Sequence, residues 1–346
     1  MGATIQSYRR PARPTAFLAL LLAFPPAALP QGGRAPDPPP AAWQFLIGEY
    51  GRDTITRVMI LERDGRLVAR IASEGEELLQ PAGGAGGREF RSPTRRFHFE
   101  PDSGPPARLR AGDSVWVRRP LGGAETVFRI TPQRPVDLLR QEALAARPPR
   151  ESGEFRPADL VELVALDSSI RLDIRYATGR NFLGTPVYTQ ARAFLQRPAA
   201  LALVRAHQEL LPLGYGLLIH DGYRPWYVTR IFWDATPPSL REFVADPAAG
   251  SRHNRGAAVD LSLYDRTTGR PVEMPGGYDE FSHRSYPDYP GGTSRQRWHR
   301  DLLRRVMEAE GFVVFPAEWW HFDYRDWRSY RIGNEPFERL GSPAPR

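Results

Sequence analysis

Short runs of alternating apolar and polar residues dominate the chain between residues 43 and 133. They are separated by Asp-Gly, Gly-Gly and Pro-Pro breaks, and Asp64-Gly65 is the strongest hairpin-turn pair among them. A period of two residues buries one face of a strand, as in antiparallel sheets. The pattern therefore predicts a small antiparallel β domain over residues 43–133, with strands at 56–61, 66–71, 97–99, 114–117 and 126–130.

Between residues 160 and 332 the pattern changes to a mixture of helical and extended segments. The predicted helices are 198–213, 225–235, 238–244 and 293–310, and the last has Trp298, Leu302, Leu303 and Val306 on one face. The predicted strands are 166–176, 216–220 and 257–264, followed by a hairpin over 311–324. The chain is therefore predicted to be α+β. A small domain with an antiparallel sheet and flanking helices follows the all-β domain.

The remaining segments flank or join these two predicted domains. Residues 1–31 place Arg9, Arg10 and Arg13 ahead of an apolar run at 16–29 that is short for a membrane span, which is the layout of a signal peptide. An uncleaved anchor is the alternative, and both predict a periplasmic or secreted protein. A Pro-rich linker is predicted at 32–42, a connector with helical potential at 134–159 and a polar tail at 333–346.

Composition excludes several classes of chemistry. The 346 residues include no Cys, so a disulfide framework, a thiolate nucleophile and a zinc–thiolate site are all excluded. The net charge is +7, but the chain has no Lys and its arginines are scattered along it rather than gathered in one run. We therefore expect no nucleic-acid partner.

Two short segments carry the residue types of a catalytic zinc site. Residues 251–260 read Ser-Arg-His-Asn-Arg-Gly-Ala-Ala-Val-Asp, and residues 318–321 read Glu-Trp-Trp-His. A catalytic zinc takes three protein ligands and leaves one position open, and a carboxylate outside the coordination shell handles the proton. His253, Asp260 and His321 can be the ligands, with Glu318 as the base. Taken singly, each residue is more often structural, as a buried His or a strand-end Asp is.

The spacing of the second segment raises a geometric problem. Glu318 and His321 differ by an odd number of positions, so a regular strand would point them to opposite faces. We therefore expect a bend or bulge near Trp319. Gly256 permits a tight turn after His253, and Asp260 falls on the predicted strand 257–264.

The order Ser-x-His-x-x-Gly-x-Ala-x-Asp followed by Glu-x-x-His resembles the zinc D,D-peptidases, and more closely the D-alanyl-D-alanine dipeptidases of the VanX type. Three further segments strengthen the resemblance: Asp-Ile-Arg-Tyr-Ala-Thr-Gly-Arg-Asn-Phe-Leu-Gly at 173–184, Gly-Tyr-Gly-Leu-Leu-Ile-His-Asp-Gly-Tyr-Arg-Pro at 214–225 and Tyr-Asp-Glu-Phe-Ser-His-Arg-Ser at 278–285. All five occur in the family's order, roughly between Leu160 and Tyr330. The resemblance implies a small zinc D,D-peptidase-like domain that binds one Zn²⁺ per chain and hydrolyses a small D-amino-acid dipeptide.

The resemblance also implies roles for four more residues. Arg224 would stabilise the oxyanion, Ser251 would bind the substrate's terminal carboxylate, and Tyr176 and Asp279 would hold its free amino end. Residues 273–278, Glu-Met-Pro-Gly-Gly-Tyr, depart from the family's more usual Met-Gly-x-x-Phe. His283 and His299 are expected not to bind metal, and Trp319 and Trp320 are expected to wall the site.

Several alternatives stay open at this point. The function could instead be that of a D,D- or L,D-carboxypeptidase acting on muropeptides, or of a non-catalytic cell-wall binding protein with a structural metal. The N-terminal β domain could contact cell wall or be an inert appendage. The oligomeric state is not predicted.

Overall fold

The computed structural model describes residues 33–52, 55–72, 74–83, 87–101, 106–119 and 127–341. The described residues from position 34 onward form one compact unit. The predicted signal peptide at 1–31 lies outside the described residues. Among the helices of the described ranges, none has the length and apolar character needed to span a membrane.

Eight antiparallel strands close into a barrel in the N-terminal part of the chain, where β1 pairs with β8. Asp64 and Gly65 join β2 to β3 with positive φ angles of 51° and 75°, which is the backbone of a two-residue hairpin turn. Closure leaves no unpaired sheet edge. The strands are β1 (Gly48–Arg52), β2 (Ile55–Arg63), β3 (Arg66–Ile71), β4 (Gly75–Pro81), β5 (Glu89–Arg91), β6 (Arg96–Glu100), β7 (Arg108–Ala111) and β8 (Ser114–Arg118).

Large apolar side chains fill the barrel interior. Tyr50 and Phe90 each meet Phe99 edge to face, with ring centroids 5.8 and 5.7 Å apart. The strand pairing confirms the predicted antiparallel strands. The exception is the strand predicted at 126–130, which is wrong for those of its residues that the structure describes. Residues 127–130 lie outside the barrel, and the Ile130 N–H donates to the Phe182 carbonyl. The boundary of the all-β domain stays a prediction.

A five-stranded sheet in the order β10-β12-β13-β15-β14 lies in the second half of the chain. Only the β10–β12 pair is parallel. The predicted mixture of helices and an antiparallel sheet is confirmed at this level. The strands are β10 (Arg171–Leu172), β12 (Tyr215–Asp221), β13 (Ala258–Asp265), β14 (Phe312–Phe315) and β15 (Glu318–Tyr324), and a separate pair is formed by β9 (Leu160–Glu162) and β11 (Phe194–Gln196).

Helices flank this sheet and connect its strands. Thr293 caps α6 through a reciprocal capping box with Gln296. Two predictions need correction. Residues 238–244 form the 3₁₀ helix Pro238–Phe243, and the predicted strand 166–176 is broken by a turn in which Asp167 accepts from the Ser169 backbone. The helices are α1 (Ala41–Gln44), α2 (Val136–Ala145), α3 (Leu163–Leu166), α4 (Arg197–Leu210), α5 (Trp226–Ala235) and α6 (Ser294–Ala309).

The segment predicted as a polar tail packs against the body of the protein over residues 333–341. Phe337 is buried, with its ring 4.8 Å from Tyr188. The first N–H groups of a helix lack partners within the helix. In α5 the carbonyl of Gly333 and the side chain of Asn334 accept from them. The tail prediction is therefore wrong for this stretch.

We expect Phe337→Ala to lower the free energy of unfolding by about 3 kcal/mol, because it removes a buried ring and leaves a cavity. Val313→Ala is the matched control, since Val313 is 59% exposed and its truncation should change stability by less than about 0.5 kcal/mol. Urea unfolding measures both. Equal, small losses in the two variants would show that the C-terminal segment does not pack as described.

Candidate active site

Three strands place acidic and imidazole side chains in one row across the sheet. Asp260 of β13 pairs with Asp221 of β12 on one side and with His321 of β15 on the other. Residues directly opposite one another in an antiparallel pair project from the same face. The row is rigid because its residues lie in buried central strands.

A bulge in β15 brings Glu318 to the same site. Val314 pairs with Phe322 and Phe315 pairs with Glu318, so three residues of β15 have no counterpart on β14. Glu318 Oε2 lies 3.8 Å from His321 Nδ1. The irregularity expected near Trp319 is thus confirmed.

The turn that carries His253 lies beside these strands. His253 begins the 3₁₀ turn His253–Arg255, which ends at Gly256 with a φ of 65°. A Cβ at Gly256 would meet Leu160 at 2.4 Å, so both conformation and space require glycine there. The His253 carbonyl accepts from the Arg224 N–H, and the Asn254 amide donates to the Arg224 carbonyl. These two hydrogen bonds therefore fix the backbone of Arg224 relative to the turn.

His253, Asp260 and His321 converge on one buried point. His253 Nε2 lies 3.0 Å from His321 Nδ1 and 3.2 Å from Asp260 Oδ1, and His321 Nδ1 lies 3.0 Å from Asp260 Oδ1. A tetrahedral ion with bonds of about 2.0–2.1 Å has ligand atoms about 3.3 Å apart. The three atoms are thus spaced as the ligands of one small cation.

The outer nitrogens of both imidazoles support this interpretation. His253 Nδ1 donates to the Gly222 carbonyl at 2.7 Å, and His321 Nε2 donates to Asp323 at 2.9 Å. A neutral imidazole that donates from one nitrogen carries a lone pair on the other. The inner nitrogens and Asp260 therefore face one another as three acceptors, an arrangement that needs a cation. Outer partners of this kind also orient metal-binding imidazoles.

The pKa values of Asp260 and His321 also indicate that positive charge is favoured at this point. Burial would raise the pKa of Asp260, but the two imidazoles hold it well below its usual range. Burial would lower the pKa of His321, but hydrogen bonds to Asp260 and Asp323 raise it to about 10. Without a metal, a proton on His321 is favoured at the place where the ligand atoms meet. Metal binding must displace that proton.

All eight predicted site residues line a single cavity of about 390 Å³. The structure thus brings together His253, Asp260, His321, Glu318, Arg224, Tyr176, Ser251 and Asp279, and it leaves none of them elsewhere. Trp320 also lines the cavity, as expected. The expectation for Trp319 is wrong: the bulge turns its buried side chain away from the cavity.

Burial raises the pKa of Glu318 to about 7, and the charge of Asp260 adds to the increase while His321 and Arg224 oppose it. A carboxylate with a pKa near neutrality can both accept and return a proton at physiological pH. Its position beside the ligand cluster, rather than within it, matches the role predicted for it.

Asp279 lines the same cavity, and both its backbone and its carboxyl group are unusual. Its backbone has a φ of 56°, and its carboxylate accepts from the Tyr176 hydroxyl at 2.7 Å. Burial raises its pKa to about 8; the Tyr176 bond opposes the shift and the charge of Asp260 adds to it. A buried carboxyl of this kind is stabilised when a cationic group binds beside it.

Arg224 is held in a fixed orientation. Its Nε donates to Asp221 Oδ2 at 2.9 Å, and a terminal nitrogen lies 3.7 Å from Asp260 Oδ2. Its guanidinium also lies over the Phe232 ring, 4.9 Å from the centroid. A guanidinium fixed in this way presents its remaining N–H groups to the cavity without a large ordering cost.

Ser251 lies at the cavity wall and also has a local structural role. Its hydroxyl accepts from the His253 N–H at 3.2 Å, and its own N–H donates to the Asn254 side chain. The Ser251 hydroxyl therefore caps the turn that carries His253. The same hydroxyl remains on the lining of the cavity.

Sequence reasoning missed three residues that orient the site. Asp221 holds Arg224, Asp323 holds His321, and the Tyr278 hydroxyl donates to Asp260 Oδ2 at 3.2 Å, which leaves Oδ1 directed at the ligand cluster. Asp323 could have been found, because it is two positions after His321 on a strand and must share its face. Asp221 and Tyr278 lie within quoted motifs, but the motifs alone do not show that Asp221 bonds to Arg224 or that Tyr278 bonds to Asp260.

Two further histidines, His283 and His299, lie outside the ligand cluster. His283 is hydrogen-bonded to Glu49 at 2.8 Å, and buried His299 is hydrogen-bonded to the Tyr215 hydroxyl at 3.1 Å. The metal-ligand geometry found among the described residues includes neither. Both were expected not to bind metal.

Comparison with known proteins gives consistent matches to one family. A family model described as D-ala-D-ala dipeptidase matches residues 156–334. The D-alanyl-D-alanine dipeptidase of Escherichia coli (strain K12) is 34% identical over 186 residues, which is 54% of this chain and 95% of the relative. Those of Streptomyces coelicolor and Enterococcus faecalis are 38% and 36% identical, over 51% and 49% of this chain and 93% and 88% of their own lengths. The matched family region begins after the barrel.

We expect Asp279→Asn to stabilise the metal-free protein at neutral pH by at least about 1 kcal/mol. Native Asp279 keeps its proton up to about pH 8, whereas the unfolded chain releases it near pH 4. The native state thus binds more protons between these pH values, and its stability falls as the pH rises from about 4 to about 8. The asparagine variant should lose this dependence.

Urea unfolding at pH 4 and pH 7.5 measures the effect, and the two proteins should differ only at the higher pH. Asp265→Asn is a control of opposite sign, because hydrogen bonds from the Thr268 backbone lower the pKa of Asp265. That variant should be less stable than the parent at pH 7.5. A destabilised Asp279→Asn protein at pH 7.5 would contradict the protonated, buried state of Asp279.

Proposed function

The chain belongs to the D-Ala-D-Ala dipeptidase family of metallopeptidases, and we propose that it uses a zinc ion to hydrolyse the peptide bond of D-alanyl-D-alanine. The observation that carries the proposal is the convergence of three lone-pair atoms beside Glu318, in a cavity that also holds Asp279. The ligands, the base and the group for a substrate amine thus share one enclosed space.

Zinc is the metal that the donor set favours. Two imidazole nitrogens and one carboxylate oxygen, from His253, His321 and Asp260, are typical of catalytic zinc sites, which leave a fourth position open. When bound, zinc would polarise the substrate carbonyl and lower the pKa of a coordinated water from about 15.7 to about 7. One ion per chain fits the single cluster found among the described residues.

Glu318 is the proposed general base and acid. Its carboxylate lies beside the ligands, with Oε2 3.8 Å from His321 Nδ1, and its pKa of about 7 suits transfer in both directions. It would accept a proton from the water that attacks the carbonyl carbon. It would then deliver a proton to the nitrogen of the leaving amino acid as the C–N bond breaks.

The remaining residues would bind and orient the substrate. Arg224, held by Asp221, would donate to the carbonyl oxygen as negative charge develops there. Asp279 and Tyr176 would bind the free ammonium group, and Ser251 the terminal carboxylate. The positive charge of a bound ammonium group would lower the pKa of Asp279, so that Asp279 releases its proton to solvent and pairs with the ammonium group as a carboxylate. Selectivity for a free amino terminus follows.

The test of this function is hydrolysis of a substrate panel by the purified protein, with and without a chelator. The panel contains D-Ala-D-Ala, L-Ala-L-Ala, an L,D-dipeptide and an N-acylated tripeptide ending in D-Ala-D-Ala. We expect cleavage of D-Ala-D-Ala alone, lost on chelation and restored by zinc. Cleavage of the tripeptide instead would favour a carboxypeptidase, and zinc binding without any hydrolysis would favour a structural metal site.

We expect Glu318→Gln to lower kcat on D-Ala-D-Ala by about 10²- to 10⁴-fold, because the variant cannot accept the proton. Zinc content should stay at one ion per chain, since the three ligands are unchanged. Glu308→Gln, on the exposed face of α6, is the control and should keep full activity. A kcat of the Glu318→Gln protein within threefold of that of the parent would refute the proposed role of Glu318 as general base.

We further propose that the protein acts outside the cytoplasm, in the periplasm or as a secreted protein. The support is the charged, then apolar pattern of residues 1–31 together with a substrate of the kind found in cell-wall peptides. Cell fractionation with an antibody to the catalytic region tests it. Recovery only in the cytoplasmic fraction would refute it.

A further inference from the structure

A carboxylate of the barrel is buried against the loop that carries Asp279. Glu49 of β1 accepts from the His283 ring at 2.8 Å, from the Tyr289 hydroxyl at 2.7 Å and from the Thr56 hydroxyl at 2.5 Å. His283 and Tyr289 are more than 230 positions away in the sequence. Burial would raise the pKa of Glu49, but the hydrogen bonds from these groups lower it to about 2. The carboxylate is therefore charged and depends on these donors.

Apolar packing and a second carboxylate strengthen the same contact. The Tyr289 ring is buried in a cluster with Met59, Leu61 and Val68, which lie on β2 and β3 of the barrel. At the end of the loop, Glu62 accepts from the Ser294 N–H at 2.7 Å, and its own N–H donates to the Gly292 carbonyl. The barrel thus holds residues 283–294 from several sides.

The short stretch between Asp279 and His283 is tied together internally. The Glu280 carboxylate accepts from the Gly277 N–H at 3.0 Å, from the Ser282 hydroxyl at 2.8 Å and from Arg284 at 3.1 Å. These bonds join the residues on either side of Asp279 into one compact turn. A fixed position at His283 therefore constrains Asp279 through the three intervening residues of ordered backbone.

Asp279 is the residue of the cavity that most needs such support. Its φ of 56° is strained for a residue other than glycine, and such conformations persist only when the surroundings hold them. Its buried carboxyl is also unfavourable to ionise. A loop with both features would relax if it were not anchored.

We propose that the N-terminal barrel is a brace for the substrate-amine loop, and that Glu49 is a positioning residue that acts on Asp279 through His283 and Tyr289. This inference rests on the proposed function of Asp279. It assigns the barrel, which lies outside the matched family region, a role in selecting substrates with a free amino terminus. The barrel does not touch the metal ligands or Glu318 in this role.

A double-mutant cycle tests the link. We expect His283→Ala to raise KM for D-Ala-D-Ala about tenfold, the loss of one charge-assisted hydrogen bond, with kcat within threefold of the parent. In an Asp279→Asn background the same change should have almost no further effect on kcat/KM, because the group that it positions is already gone. Multiplicative effects in the double variant would overturn the proposal.

Two companion variants keep the result interpretable. His283 has 47% of its side chain exposed, so its truncation should not unfold the protein, whereas Glu49→Ala could destabilise the barrel and is judged only after a thermal melt. Glu49→Ala should reproduce the rise in KM. Glu76→Gln removes a barrel carboxylate that pairs with Arg63 on the surface, and it should leave KM unchanged. An equal rise in KM for Glu76→Gln would indicate a general effect of the barrel and refute the specific one.

Hydrogen exchange of residues 276–292 separates this proposal from the proposed function. His283→Ala should increase exchange in that loop and leave β13 and β15 protected. Unchanged exchange would refute the brace even if the enzyme is active. A parent protein that hydrolyses none of the panel would refute the function alone, because the exchange measurement needs no substrate.

Discussion

Three acceptor atoms that face one another in a buried space are the constraint on which the rest of this structure depends. His253 Nε2, His321 Nδ1 and Asp260 Oδ1 lie 3.0–3.2 Å apart, and each imidazole already donates outward. Acceptors at this distance repel one another unless a cation lies between them. The sheet must hold them together, which explains why two of the three lie on paired central strands rather than on loops.

The charges around this point show what the cavity is suited to receive. The buried carboxylates of Asp221, Asp260 and Asp279, together with the partly exposed carboxylate of Glu318, lie around the buried guanidinium of Arg224. Burial raises the pKa of Asp279 to about 8 and that of Glu318 to about 7, so protons neutralise part of the negative charge of the site at neutral pH. In the proposed function, a substrate ammonium group would replace the proton on Asp279, and a metal ion would replace the proton on His321. The site would therefore select for positive charge before any side chain of the substrate is considered.

The residue pattern predicted the ligands well because their chemistry is local to short motifs. Two short segments contain all four residues, His253, Asp260, Glu318 and His321. Because Glu318 and His321 are an odd number of positions apart, placing both on one face of the strand required the bulge that is observed. What could not be predicted depends on pairing between distant residues. The role of Asp221 follows only from its hydrogen bond to Arg224 in the folded structure. The closure of the barrel likewise depends on the pairing of β1 with β8. The C-terminal segment looked polar because its one large anchor, Phe337, is surrounded by charged residues.

The contact between the barrel and the Asp279 loop illustrates how stability and function are balanced in this fold. A residue with a positive φ and a buried, hard-to-ionise carboxyl destabilises the native state, and in the proposed function this carboxyl would gain a partner when an ammonium group binds. Such a loop can keep its conformation only if neighbouring structure supplies compensating interactions. Here they come from the barrel, which has an apolar core of its own and directs the buried carboxylate of Glu49 at the loop. Because the barrel is stabilised independently of the cavity, it can hold the loop without adding side chains to the site, and the metal ligands need not adjust to it.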